Sequence, residues 1–127
     1  SYLPEEYACE PRLRIECYRR LAKFRTLEEI DDFTAELVDR FGEIPDQGVA
    51  LLDEARIRCL AEEAGFDQVE TIGAELYCRF SVRTKEGNKK FLRPAGKIPK
   101  ISSKIPLLKL KEIIRFLKIV IHGNNNA

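Results

Sequence analysis

The 127-residue chain has one histidine, His122, no pair of cysteines at the C-x-x-C spacing, and no glycine-rich phosphate loop. Each shortage removes a class of chemistry. A serine hydrolase needs a histidine to move the proton, and His122 stands beside an asparagine-rich tail with no serine in a nucleophile-elbow sequence nearby. Cys9, Cys17, Cys59 and Cys78 match no common zinc spacing. Cys17 and Cys59 fall among apolar helical positions and read as buried reduced thiols, not as part of a disulfide framework. Neither G-x-x-x-x-G-K-[ST] nor G-x-G-x-x-G occurs, so nothing supports a nucleotide site. The expectation is no catalytic residue, no metal and no cofactor.

Long apolar runs are missing too. No stretch approaches the roughly 18 residues a membrane helix needs, and "SYLPEEYACEP" lacks the basic and apolar regions of a signal peptide. A soluble, cytoplasmic, monomeric chain with no membrane partner is expected. Its 44% apolar and 34% charged residues are a globular balance, and the length suits one domain over 1–127 with a single core.

What is present is helical first and alternating later. Pro11 suits a first helical turn, and Leu13, Cys17 and Leu21, with Tyr18 and Ala22 alongside, predict a helix to about Phe24. Thr26 and Glu29 have the spacing of a capping box, opening a second helix whose stripe is Ile30, Phe33, Leu37, Val38 and Phe41 and which Gly42 ends. Asp46 is expected to cap a third helix, apolar on so many sides that it must be buried against more than one element, with Gly65 as its stop. Then the period becomes two: Leu76, Cys78, Phe80 and Val82 alternate with polar residues, and "EGN" supplies a turn before "KKFL". Two or three antiparallel strands follow from this. Residues 94–106, rich in proline, glycine and serine, predict a flexible connection. Leu110, Ile113, Ile114, Leu117 and Ile121 predict a last helix ending at Gly123, with Lys109, Lys111, Arg115 and Lys118 mostly on its other face; a strand through "KIVIH" is the competing reading. The fold class is α+β: about three N-terminal helices packed on a small antiparallel sheet, with a C-terminal helix.

The near-neutral total charge hides a division. Residues 1–80 hold 10 Lys and Arg against 19 Asp and Glu, and residues 81–127 hold 12 against 2. Lys109, Lys111, Arg115 and Lys118 are therefore candidate phosphate contacts in an alternative reading as a nucleic-acid-binding module. The simpler reading is internal neutralisation with solvated lysines. Glu28-Glu29, Asp31-Asp32 and Glu62-Glu63 are carboxylate pairs of the kind exposed helices carry, solvated or paired four residues away. Tyr18 falls on an apolar stripe, which makes it a core residue whose neighbours Arg19 and Arg20 face solvent rather than a base-stacking platform.

Three stretches combine in a more specific way: "YLPEEY", "RIECYRRLA" and "ELVDRFGEIPDQGVALLDEARIRCLAEEAG". Tyr7, Arg14, the run Tyr18 to Ala22, and Glu36 to Pro45 follow the pattern of a tyrosine-ended proline lead, a Y-[KR]-R-[LI]-A helix and E-L-x-D-R-F-G-x-[LI]-P. Over about residues 2–66 the chain resembles the C-terminal domain of the bacterial transcription-repair coupling factors.

The resemblance implies a non-catalytic fragment of a much larger, ATP-driven DNA translocase in transcription-coupled nucleotide excision repair. That protein meets RNA polymerase stalled on damaged DNA and recruits UvrA. The domain itself would dock intramolecularly on a UvrB-like N-terminal module, masking UvrA binding and restraining the motor. Carried to matching positions, the docking residues would be Glu36, Asp39 and Arg40. Their spacing puts them on one side of a helix end, where they could meet partner arginines. The competing local reading pairs Glu36 with Arg40 at i, i+4.

Overall fold

The computed structural model describes residues 3–8, 10–72, 75–83, 85–92 and 106–125. The element order is α1 (Pro11–Lys23), α2 (Leu27–Phe41), α3 (Asp46–Ala64), β1 (Gln68–Ile72), β2 (Glu75–Arg83), β3 (Lys89–Leu92) and α4 (Pro106–Asn125). This is the α+β order expected from the change of period after Gly65. The chain forms two compact units, Ser1–Cys59 and Leu60–Ala127, with the boundary inside α3. The connection expected at 94–106 falls, up to residue 105, outside the described residues.

In the first unit α1 opens on Pro11 and α2 on a full capping box: the Thr26 side chain accepts from the Glu29 amide, and the Glu29 carboxylate accepts from the Thr26 amide. The apolar stripe of α2 then packs inward, with Ile30, Phe33 and Leu37 at most 3% exposed. Around them lie Leu3, Tyr7, Cys17, Leu21, Leu52, Ala55 and Cys59, with Leu13, Tyr18, Phe24 and Phe41 at the margin. Val38, expected in this stripe, is 48% exposed. It stands about 100° further round the helix than Leu37, beyond the inward arc.

Two chain reversals are fastened by side chains that arrive from elsewhere in sequence. The last carbonyls of a helix have no partner within it and need one from outside. At the end of α1, the Arg58 guanidinium donates to the carbonyls of Leu21 (2.8 Å) and Phe24 (2.7 Å). At the end of α2, the hydroxyl of Tyr7 lies 3.1 Å from the Leu37 carbonyl and 3.0 Å from that of Gly42, a proton shared between two acceptors. Gly42, at φ +83°, lets the chain turn, and its own amide donates to Val38. Burial, followed by the charge of nearby Cys17, pushes the Tyr7 hydroxyl above its ordinary pKa and keeps it a donor.

α3 begins at Asp46 itself, not one residue later. The Pro45 carbonyl accepts from the Val49 amide, so Asp46 is a first-turn carboxylate at the positive end of the helix rather than its cap. The helix also carries a polar group that its apolar pattern conceals: Asp53 is fully buried. Arg56 reaches it at 2.9 Å and extends to Asp31 (3.2 Å) and Thr34 (3.3 Å) on α2, so one guanidinium joins the two helices.

In the second unit the described strands form one antiparallel sheet in the order β1-β2-β3, with Val69 opposite Cys78 and Phe80 opposite Leu92. Gly65 at φ +86° releases the chain from α3, and Gly87 at φ +84° makes the turn expected at "EGN". Asp67 fixes the start of the hairpin, its carboxylate accepting from both the amide and the hydroxyl of Ser81. Alternation holds over residues 75–78, where Leu76 and Cys78 are buried while Glu75 is exposed and Tyr77, half-buried, donates to it at 2.6 Å; Phe80 is half-buried like Arg79 and Ser81 on either side, so the alternation fades there. α4 buries Ile113, Ile114 and Leu117 as its stripe required. It runs through Gly123 to Asn125, because a glycine weakens a helix by only about 1 kcal/mol and here is not at positive φ.

Cys17, Cys59 and Cys78 are buried free thiols, and burial pushes the Cys78 thiol from 9.0 up to about 11. Folded Cys78 therefore holds its proton more tightly than the unfolded chain does, and its contribution is complete below pH 9.0 and lost as pH rises to about 11. Urea denaturation at stepped alkaline pH should show stability falling across that window, with a shallower fall in Cys78→Ala. Tyr7→Phe, which leaves both α2 carbonyls without their donor, should lower stability by about 1–3 kcal/mol in the same measurement at neutral pH.

Candidate functional site at the end of helix α2

Glu36, Asp39 and Arg40 sit in the last two turns of α2, on a segment whose inner side is Leu37 and Phe41 and whose end is held by Tyr7. Asp39 and Arg40 are exposed and Glu36 is half-exposed. On the helix the three spread over about 100° of arc.

Their partners differ from the local pairing considered above. Glu36 does not pair with Arg40; its carboxylate takes a 2.7 Å contact from Arg20 on α1. The Arg20 guanidinium also lies 4.6 Å from the centroid of the Phe33 ring of α2, a cation–π contact that holds it beside that helix. Arg40 instead lies 5.0 Å from the Phe41 ring, which in turn meets Tyr7 at 5.6 Å and a 60° tilt. Asp39 makes no ion pair or side-chain hydrogen bond among the described residues. Arg20 is thus half-buried and engaged, while Arg19, exposed and 3.5 Å from Glu16, faces solvent as expected. Tyr18 is a half-buried core residue whose hydroxyl accepts from the Leu3 amide at 2.9 Å.

Beneath this surface lies Cys17. Burial raises its pKa against the opposing charges of Arg20 and Arg40, which keeps it a neutral thiol under a charged rim. Arg20 is the site residue that sequence reasoning missed. Its cue was available in hindsight as the first arginine of "RRLA" falling outside, and the second inside, the arc next to Cys17 and Leu21.

The second candidate set divides. Lys111, Arg115 and Lys118 are exposed on α4, but Lys109 is half-buried. Lys109 and Lys111 are two positions apart, roughly 200° of helix rotation, so the four cations do not share one face. Among the described residues no group of three or more His, Cys, Asp or Glu stands where it could hold a metal ion, and no described helix is long and apolar enough to cross a membrane.

Comparison with known proteins gives this surface a setting. The TRCF domain family model matches residues 1–91. A transcription-repair-coupling factor of Escherichia coli (strain K12) is 37% identical over 70 residues, 55% of this chain and 6% of that protein. One from Staphylococcus aureus (strain USA300) is 34% identical over 86 residues, 68% of this chain and 7% of that protein. The chain therefore spans less than about a tenth of the curated relatives it matches. Its fold is similar to the crystal structure of a C-terminal domain of transcription-repair coupling factor, with a TM-score of 0.65 over 97% of this chain and 89% of that one at 17% identity. The matched stretch includes Tyr7, the Arg20–Glu36 contact and the whole of α2, and the chain belongs to the TRCF domain family.

Proposed function

We propose that this chain is a non-catalytic, autoinhibitory interaction domain of a cytoplasmic transcription-repair coupling factor, acting in transcription-coupled nucleotide excision repair. The domain docks on a UvrB-like N-terminal module of the same protein through Glu36, Asp39 and Arg40. While docked it covers the surface that UvrA would use and restrains the ATP-driven translocase; RNA polymerase and DNA are met by the rest of the protein.

The observation that carries this reading is the end of α2: an Asp39 that pairs with none of the described residues and an exposed Arg40 beside a Glu36 held in place by Arg20. A carboxylate has about four acceptor positions, so Glu36 can keep Arg20 and still receive a partner arginine. The exposed, charged character of the patch suits an interface that opens, of the roughly 600–1,500 Å² usual between domains of one chain.

The test is the full-length protein carrying Glu36→Arg and Asp39→Arg. Removing one member of a desolvated charge pair costs about 2–5 kcal/mol, so docking should weaken by at least about tenfold. UvrA capture and ATPase activity should both rise. UvrA capture and ATPase activity equal to those of the unaltered protein would sink the docking assignment.

A further inference from the structure

We propose that the outer side of the α1–α2 hairpin is a self-association face, on which a second copy of this chain pairs Asp39, Asp32 and Glu28 of its α2 with Arg12, Arg19 and Lys23 of α1. Self-pairing needs only this chain and does not rest on the docking assignment. Because both use Asp39, a copy docked through that residue is not free to pair.

Helix geometry puts the six charges on two lines. At about 100° per residue, Arg12, Arg19 and Lys23 fall within about 40° of arc on α1, turned away from buried Cys17 and Leu21. Glu28, Asp32 and Asp39 likewise fall within about 40° on α2, turned away from buried Ile30, Phe33 and Leu37. All six are exposed. The two helices meet at a seam filled by Arg20 and Glu36, 2.7 Å apart, and by Phe24 against Phe33. Helix α3 lies on one side of that seam: Arg58 donates to the Leu21 carbonyl, Tyr18 and Leu21 share a hollow of about 240 Å³ with Leu51 and Ala55, and Arg56 reaches Asp31 and Thr34. The cationic and acidic lines flank the seam on the other side.

The lines match in spacing. Counted from the turn, Lys23, Arg19 and Arg12 are separated by 4 and then 7 positions, as are Glu28, Asp32 and Asp39, which is about 6 and about 10.5 Å of rise. Residues 24–26 join the helices in a short turn, so they run antiparallel with Lys23 and Glu28 at the same end. A two-fold axis along the hairpin therefore lays each α1 on the partner copy's α2, antiparallel and at unchanged height, and the three pairs form twice in a closed dimer. Among the described residues Arg19 alone of the six has an ion pair, a 3.5 Å contact with Glu16 between side chains more than half exposed, which is weak and exchangeable. In this register Ile15, 55% exposed, comes within about 1.5 Å of rise of the second copy's Ala35 and adds an apolar contact beside the charges. A phosphate backbone would be repelled by the acidic line, and a bilayer surface needs a continuous free apolar face that two rows of charge do not offer. So small and charged a contact belongs with the weak interfaces below about 1,200 Å², giving a monomer when dilute and a dimer when concentrated.

Sedimentation equilibrium of the 127-residue chain at up to about 1 mM tests the face. In about 20 mM salt the mean mass should rise with concentration from 14.6 kDa toward twice that value, and about 500 mM salt should return it to the monomer by screening the pairs. Arg12→Glu, Arg19→Glu and Lys23→Glu together, or Glu28→Lys, Asp32→Lys and Asp39→Lys together, should each leave a monomer. The chain with all six reversals keeps the original net charge and restores every opposite pair, so it should dimerise again. Circular dichroism shows whether each variant is folded; where a triple reversal unfolds the chain, Arg19→Gln with Asp32→Asn replaces it and should weaken the association. A mass fixed at 14.6 kDa at about 1 mM, which would leave the face to a different partner, a folded triple reversal that still dimerises, or a folded six-fold reversal that stays monomeric would each overturn the assignment.

Discussion

The Tyr7 hydroxyl, set between the carbonyls of Leu37 and Gly42, is the contact on which the geometry of the first unit rests. A helix end buried against a core cannot leave its carbonyls to water, and here they are satisfied by a residue 30 and 35 positions earlier in the chain. The ring of the same tyrosine packs on Phe41, and Leu3 and Ala8 on either side of it are buried, so the N-terminal lead is part of the core. Because Tyr7 holds the last turn of α2 in place, Asp39 and Arg40 are presented from a fixed backbone.

Arginine does the comparable work elsewhere in the unit. Arg58 closes the end of α1, Arg56, held by Asp53 of its own helix, joins α3 to α2 through Asp31 and Thr34, and Arg20 joins α1 to α2 through Glu36 and Phe33. Arginine suits these places because its planar fork offers several donors at once and it stays charged when partly buried. The acidic excess of residues 1–80 is accordingly not a featureless solvated surface: Glu36 and Asp31 are the acceptors in helix-to-helix ties, and Asp53 pairs with Arg56 inside α3. The positive excess lies in the rest of the chain, where α4 turns three of its cations outward.

Much of this was legible in residue order. Local rules decide local structure, so the Thr26–Glu29 capping box, the stop at Gly42, the period-two run through Leu76 and Cys78 and the turn at Gly87 appear where their chemistry requires. Val38 shows where periodicity falls short: it lies one residue from the correctly placed Leu37, and a rotation of about 100° reverses its exposure. Periodicity names a stripe, but only packing sets its width. Gly123 shows the converse: a residue able to end a helix does not oblige it to end.

The sequence by itself determined the element types, their order, and the placing of Glu36, Asp39 and Arg40 on one helix end, because spacing along a helix is fixed by its own geometry. Only the tertiary structure decided whom those residues meet. Arg20 rather than Arg40 takes Glu36, and Asp53 enters the core with Arg56, because each choice depends on two segments brought together across 16 or more residues or on burial that no local pattern encodes. The Phe33 ring beside Arg20 and the burial of Asp53 go with those pairings, and both exist only once the helices have packed.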